Sequence, residues 1–120
     1  MQDLNEVSKL VSKKTKLIWV ETPTNPMMNL IDINAISKIC KRNKILLAVD
    51  NTFATPYLQK PLDLGADIVM HSATKYLAGH SDVILGALIV NDSELAERLY
   101  FLQNSSGAIC GPMDSFLTLS

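Results

Sequence analysis

The chain contains few of the residues that mark specialised classes of protein. It has 120 residues but only two cysteines, Cys40 and Cys110, which are far apart and belong to no Cys-x-x-Cys pair. This spacing indicates neither a redox motif nor a zinc knuckle, and a reducing compartment is the default expectation. The hydrophobic share of 48% excludes a disordered or collagen-like composition.

An excess of one charge sign and long apolar runs are also missing. Lys and Arg number 11 and Asp and Glu number 12, which gives a formal net charge of -1, and neither sign is gathered into a block. This balance predicts no nucleic-acid partner and no membrane-surface partner. No apolar run approaches the roughly 18 residues that a membrane span needs, and no leader-like segment opens the chain. We therefore expect a soluble cytoplasmic protein.

Short apolar runs alternate with segments of helical periodicity, which predicts an α/β fold. We expect strands at 16–20, 45–49, 67–70 and 83–90, and helices at 4–11, from Asp32 onward and at 92–103, with Asp3 as the cap of the first. Because the runs are apolar throughout, the strands are expected to be parallel and covered on both faces. The connection before the last strand is too short for a helical crossover, so its direction is left open.

Polar or reactive residues follow the apolar runs. Glu21 follows the first run, Asp50 the second, and residues 71–75 the third. In open α/β sheets, ligands bind beyond the carboxyl ends of the strands, where side chains from separate strands converge. We therefore expect Asp50 and Lys75 to meet at one edge of the sheet.

The types of these residues indicate a cofactor. A buried lysine can form a Schiff base with the aldehyde of pyridoxal phosphate (PLP), which makes Lys75 the candidate. A carboxylate that keeps the pyridine nitrogen protonated allows the ring to act as an electron sink, and Asp50 is suited to that role. Ser72 and Thr74 provide hydroxyls for the phosphate. Taken singly, such residues are usually surface or turn residues, but together they are specific.

Three motifs extend this pattern along the chain. They are Glu-Thr-Pro-Thr-Asn-Pro at 21–26, Val-Asp-Asn-Thr-Phe at 49–53, and Ser-Ala-Thr-Lys-Tyr at 72–76 followed by Gly-His-Ser-Asp at 79–82. With these motifs the sequence resembles the Cys/Met metabolism family of PLP enzymes. That family includes cystathionine γ-lyase, cystathionine γ-synthase, cystathionine β-lyase and methionine γ-lyase.

The resemblance implies a fold and a set of site residues. Residues 1–120 would form part of the large PLP-binding domain of a fold type I, aminotransferase-like enzyme, with a mostly parallel sheet and flanking helices. Lys75 would carry PLP, Asp50 would pair with the pyridine nitrogen, and Ser72 and Thr74 would bind the phosphate. Asn25 would lie near the ring hydroxyl.

The resemblance also implies an activity. The parent enzyme would be a homotetramer that acts on cystathionine or a homoserine derivative, as a C–S lyase or γ-replacement transferase of the cystathionine γ-lyase or γ-synthase type. Specificity of the methionine γ-lyase or cystathionine β-lyase kind is an alternative. Because family members are much longer than this chain, an inactive or merely PLP-binding fragment is a second interpretation.

Other motifs carry less weight. Residues 72–75 also satisfy Ser-x-x-Lys, but the Ser-Asp-Asn and Lys-Thr-Gly partners of penicillin-binding proteins do not occur. A nucleotide-binding domain is disfavoured because there is no Gly-x-Gly-x-x-Gly or Walker sequence. The spacing of His71, His80 and Asp82 matches no metal-ligand pattern, so no metal site is predicted.

Overall fold

In a computed structural model, which describes residues 4–120, a four-stranded sheet is accompanied by five helices. In chain order the elements are α1 (Leu4–Leu10), β1 (Leu17–Glu21), α2 (Ile33–Asn43), β2 (Leu46–Asp50), α3 (Thr55–Leu58), β3 (Ile68–Ser72), β4 (Gly86–Ile89), α4 (Ser93–Ser106) and α5 (Pro112–Leu119).

The sheet has the order β1-β2-β3-β4 and is mostly parallel. Val49 in β2 lies opposite Val20 in β1 and Val69 in β3, and both pairings are parallel. β4 runs antiparallel to β3, with Ile89 opposite Val69. The predicted α/β class is confirmed, and the direction of the last strand is now defined. Because residues 73–85 form no helix that could carry the chain back across the sheet, β4 returns beside β3 as an antiparallel strand.

Helix α2 covers one face of the sheet, as its periodicity predicted. The helix begins at the cap Asp32, whose carboxylate accepts a hydrogen bond from the Ala35 N–H, and ends at Lys44 in the left-handed conformation. Its apolar stripe packs on alternate residues of β2 and β3, which face the same side because their register is parallel. The resulting core cluster consists of Ile33, Ile36, Cys40, Ile45, Leu47, Val49, Ala66 and Val69.

The expectation that the strands are covered on both faces is wrong for the described residues. Ala48 in the centre is fully buried, but Leu17, Trp19 and Leu88 are 44%, 51% and 51% exposed. Helices α4 and α5 contribute no buried residue. An apolar run therefore indicates that a strand is suited to apolar contacts. It does not indicate that the described residues provide those contacts.

Several element bounds differ from the prediction. β4 is shorter than the apolar run 83–90, whereas β2 and β3 extend far enough to include Asp50 and Ser72. α3 and α5 were not predicted. Pro112 begins α5, because proline is favoured in the first turn of a helix, where its missing N–H costs no hydrogen bond. The helix predicted at 4–11 is present as α1, and its proposed cap Asp3 lies outside the described residues.

Gly65, in the turn before β3, is a position that only glycine fits. Its φ is 98°, and an added Cβ would overlap the Ser37 hydroxyl oxygen, which donates a hydrogen bond to the Gly65 carbonyl at 2.9 Å. We expect Gly65→Ala to lower the free energy of unfolding by about 2–3 kcal/mol, through backbone strain and overlap together. Urea denaturation measures this change.

Gly107→Ala is the matched control. Its φ is 74°, but a Cβ there would meet nothing within 4 Å, so only the backbone term of about 1 kcal/mol applies. Ser37→Ala combined with Gly65→Ala should cost less than the sum of the two single changes, because the overlap with the hydroxyl is removed. Equal losses in the free energy of unfolding for Gly65→Ala and Gly107→Ala would show that the overlap with Ser37 does not contribute.

Candidate active site

Polar residues meet at the carboxyl edge of the parallel strands. Glu21, Asp50 and Ser72 are the last residues of β1, β2 and β3. The register places Glu21 opposite Asp50, and Asp50 opposite Met70, two residues before Ser72. The structure thus brings Asp50 and the segment that carries Ser72, Thr74 and Lys75 to neighbouring strand ends.

Thr52 joins these two strand ends. The Asp50 Oδ1 accepts hydrogen bonds from the Thr52 backbone N at 3.0 Å and from the Thr52 Oγ1 at 2.6 Å. The same hydroxyl oxygen accepts a hydrogen bond from the Ser72 backbone N at 2.8 Å. Thr52 is 8% exposed, so water competes little for these bonds. The orientation of the Asp50 carboxylate is therefore fixed from within the chain.

Thr52 belongs to the Val-Asp-Asn-Thr-Phe motif at 49–53, but the motif alone predicts no role for it. A signal was present, because an Asp two residues before a Thr is typical of a turn in which the carboxylate binds backbone and side chain together. The bond to Ser72 had no local signal, since it depends on the register between β2 and β3.

Lys75 lies in the turn that follows β3. Its backbone N donates to the Ser72 carbonyl at 3.1 Å, and its carbonyl accepts from the Gly79 N at 2.9 Å. The side chain is exposed and, with Phe53 and Tyr76, lines a cavity of about 860 Å³. The backbone of this lysine is thus fixed while its amine faces an open cavity. The expectation of a buried lysine is wrong for the described residues, because Lys75 is exposed.

The two candidate phosphate ligands, Ser72 and Thr74, differ in the hydrogen bonds that their hydroxyls already make within the chain. The Thr74 Oγ1 accepts from the Leu85 N at 2.9 Å and donates to the Leu85 carbonyl at 3.3 Å, which closes the connection to β4. The Ser72 hydroxyl makes no hydrogen bond within residues 4–120. Ser72 is therefore available to a ligand, and Thr74 would have to turn its proton away from Leu85.

Asn25 lies in the loop after β1, at the same edge of the sheet. The loop is a turn held by Thr24, whose carbonyl accepts from the Met28 N at 2.8 Å and whose hydroxyl accepts from the Asn29 N at 2.9 Å. Asn25 is exposed. In the described part of the chain no hydrogen bond joins it to Asp50, Ser72, Thr74 or Lys75.

The chemistry of this donor set fits PLP. A carboxylate matches a protonated pyridine nitrogen, an amine matches an aldehyde, and a free hydroxyl matches a phosphate oxygen. The Asp50 Oδ2 makes no hydrogen bond among the described residues, so it is available to an N–H of a ligand. The rings of Phe53 and Tyr76, with centroids 6.3 Å apart at an interplanar angle of 68°, form an apolar wall of the cavity.

His71 lies beside the site but is buried, with 3% of its surface exposed. Burial lowers the pKa of its imidazole from the usual 6.5, and the negative charge of Asp50 raises it by a smaller amount. Its Nδ1 has no hydrogen-bond partner among residues 4–120. Within those residues no three His, Cys, Asp or Glu side chains are grouped to hold a metal ion, and no helix is long and apolar enough to cross a membrane.

Comparison with known proteins decides the family. Residues 1–120 match the family described as Cys/Met metabolism PLP-dependent enzymes. The chain belongs to that family. The family and the cofactor it implies, PLP, agree with the prediction from the sequence motifs.

Three similar proteins carry three different activities. The chain is 53% identical over 119 residues to the cystathionine gamma-synthase of Mycobacterium tuberculosis, covering 99% of this chain and 31% of that protein. It is 54% identical over 117 residues to the cystathionine beta-lyase of Lactococcus lactis, covering 98% of this chain and 31% of that protein. The crystal structure of the cystathionine gamma-lyase from Lactobacillus plantarum complexed with L-serine matches 97% of this chain and 30% of that chain, at 49% identity and a TM-score of 0.95.

Two consequences follow from these matches. The chain spans about a third of the length of the curated relatives it matches. Because a synthase and a β-lyase are similar to it at nearly equal identity, the comparisons support the family without selecting one member.

The lowered pKa of His71 predicts an acid-sensitive stability. The unfolded chain binds a proton near pH 6.5 more readily than the folded chain does, so the stability from the neutral imidazole is present above pH 6.5 and is lost as the pH falls below it. We expect His71→Phe to reduce the difference in free energy of unfolding between pH 7.5 and pH 5.5, as measured by urea denaturation. The control is His80→Phe at the exposed histidine. An unchanged pH difference in His71→Phe would contradict this assignment.

Proposed function

We propose that residues 1–120 are part of the cofactor domain of a PLP-dependent C–S lyase or γ-replacement transferase of the cystathionine γ-lyase or γ-synthase type. The substrate would be cystathionine or a homoserine derivative. The observation that carries the proposal is the Asp50 carboxylate, held by Thr52 next to the strand end from which Ser72 and Lys75 follow. The similar proteins named cystathionine gamma-synthase, beta-lyase and gamma-lyase support it.

Lys75 is the proposed catalytic residue. Its amine would hold PLP at the aldehyde carbon, and when the amine is free its Nζ would accept the Cα proton of the substrate and deliver it to the leaving side chain. Bound PLP supplies the electron sink that makes this Cα proton acidic. An exposed side chain on a fixed backbone suits this role, because the Nζ has to move between two positions while its anchor does not.

The other proposed site residues bind the cofactor and orient it. Asp50 would accept a hydrogen bond from the protonated pyridine nitrogen at its Oδ2, which makes no hydrogen bond among the described residues. Ser72 donates its hydroxyl to the phosphate, and Thr74 does so while its oxygen still accepts from the Leu85 N. Asn25 lies in a loop at the same edge and is assigned to the ring hydroxyl.

The proposal extends to assembly and location. The full-length protein would be a homotetramer, whose contacts would bury apolar side chains such as Trp19 that are exposed in this chain. Cys40 and Cys110 are free thiols, which supports a reducing compartment, the cytoplasm. The net charge of -1, with neither sign gathered into a block, supports no nucleic-acid or membrane partner. The names of the similar proteins support an amino-acid substrate.

A second candidate is a chain that binds PLP without turnover, or that is inactive. The observation that favours it is the uncovered sheet face with Leu17, Trp19 and Leu88, together with the coverage of about a third of the similar proteins. Cystathionine β-lyase or methionine γ-lyase specificity is a variant of the first candidate. Binding and turnover experiments separate the two candidates.

The first experiment tests attachment of the cofactor. After the chain is incubated with PLP and reduced with borohydride, peptide mass analysis should find the cofactor on the peptide that contains Lys75. Lys75→Ala should abolish the label, whereas Lys60→Ala, at an exposed loop lysine, should leave it unchanged. A label that persists in Lys75→Ala, on any other lysine, would falsify the assignment.

The second experiment tests Asp50 during turnover. In a chimera, residues 1–120 replace the matching segment of the Lactobacillus plantarum cystathionine gamma-lyase, to which the chain is 49% identical with a TM-score of 0.95. We expect Asp50→Ala to keep borohydride-trapped cofactor on Lys75 but to lower cystathionine elimination by about 10²-fold or more.

The matched control is Asp63→Ala, at an exposed loop carboxylate, which should keep full activity. Undiminished turnover in Asp50→Ala would show that the ring nitrogen needs no such carboxylate. An inactive chimera that still carries the trapped cofactor would favour the second candidate.

A further inference from the structure

The half-buried Gln59 joins a hydrogen-bond network with two buried residues, Asn51 and Thr22. The Gln59 Nε2 donates to the Thr22 carbonyl at 3.0 Å and to the Asn51 Oδ1 at 2.8 Å. In return, the Asn51 Nδ2 donates to the Gln59 carbonyl at 2.9 Å. Asn51 and Thr22 are 0% and 1% exposed. The network therefore connects the end of β1, the end of β2 and the C-terminal end of α3.

The network also holds the backbone on which the site is built. The Asn51 N donates to the Met70 carbonyl at 2.9 Å, and the Asn51 carbonyl accepts from the Thr55 N at 2.9 Å. All four polar atoms of Asn51 are thus bonded, two through its backbone and two through Gln59. Asn51 is the residue between Asp50 and Thr52, so fixing it fixes where the Thr52 hydroxyl lies.

Gln59 is the residue in this network that can be removed without removing a site residue. It is absent from the lining of the cavity beside Lys75. Its side-chain amide is the link, within residues 4–120, between the Asn51 side chain and the end of β1. If that amide is lost, the Asn51 Oδ1 and the Thr22 carbonyl lose a donor in a setting where water does not replace it.

We propose that Gln59 is a positioning residue for the cofactor site, which acts through Asn51 and Thr52 to set the orientation of the Asp50 carboxylate. The inference rests on the proposed function, because it assigns that orientation to the pyridine nitrogen of PLP. Gln59 sets it without contact with the cofactor. A residue with a purely structural role would change the free energy of unfolding but not the protonation of the bound ring.

The first arm needs no cofactor. The Ser72 N–H is bonded to the Thr52 hydroxyl, so its hydrogen exchange in the chain without PLP reports whether Gln59 acts on Thr52. We expect Gln59→Met to speed exchange at the Ser72 amide by about tenfold, and to leave the Ala35 amide, bonded to Asp32, unchanged. Gln103→Met, at an exposed glutamine of α4, is the matched control and should change neither amide.

The second arm measures PLP. We expect Gln59→Met to raise the Kd for PLP about 3- to 10-fold. The pH midpoint for protonation of the bound pyridine nitrogen, followed by absorbance, should shift to lower pH because the carboxylate that stabilises the protonated ring is less well placed. Gln59→Glu should behave similarly at pH 8, where its carboxylate faces two carbonyl oxygens. At pH 5.5 a protonated carboxyl regains one donor, so its Kd should move back toward that of the wild-type chain.

The outcomes are distinct. Wild-type exchange at Ser72 in a folded Gln59→Met overturns the inference, as does a wild-type Kd and pH midpoint in both variants. Loss of folding in both variants overturns it too, because Gln59 is then a structural residue. If the wild-type chain binds no PLP, the second candidate, an inactive chain, is favoured over the first, and the exchange at Ser72 still decides whether Gln59 acts on Thr52.

Discussion

The hydroxyl of Thr52 is the contact on which the arrangement of the site depends. A hydroxyl has one proton and two lone pairs. Here the proton goes to the Asp50 Oδ1 at 2.6 Å, and the oxygen accepts from the Ser72 N at 2.8 Å. Because Asp50 and Ser72 end neighbouring strands, this one group sets both the direction of the carboxylate and its position relative to β3. The turn that carries Lys75 begins at Ser72, so the position of the lysine follows from the same contact.

The reversal at β4 keeps that turn at the carboxyl edge. A parallel fourth strand would require residues 73–85 to cross back over the sheet, and they would then leave the edge where Asp50 lies. Instead β4 pairs antiparallel with β3, and the Thr74 side chain closes the connection on the Leu85 backbone. The antiparallel direction of β4 thus allows Lys75 to remain beside the cavity.

Features that depend on local sequence patterns could be predicted, whereas features that depend on contacts between distant residues could not. The strands and α2 were predictable because burial against one helix leaves a local apolar pattern in the sequence. The proximity of Asp50 and Ser72 was predictable because parallel strands bring their carboxyl ends to the same edge of the sheet. The first residue of β4 was not predictable, because residues 83–85 are apolar but belong to the preceding loop, where the Leu85 N donates a hydrogen bond to the Thr74 hydroxyl. The contacts of Thr52 depend on strand register, and those of Gln59 include a hydrogen bond to Thr22, 37 residues away in sequence.

The site combines fixed and free groups in a way that suits proton transfer. A carboxylate is a well-defined acceptor when it cannot turn away. Asp50 is held by two hydrogen bonds at one oxygen, and all four polar atoms of its neighbour Asn51 are bonded. A proton carrier has to move, and the Lys75 side chain is exposed. Neither requirement involves the uncovered sheet face near Trp19. The hydrogen-bonded arrangement of Asp50, Thr52 and Ser72 is therefore formed within these residues, whereas the burial of the sheet depends on contacts that they do not themselves provide.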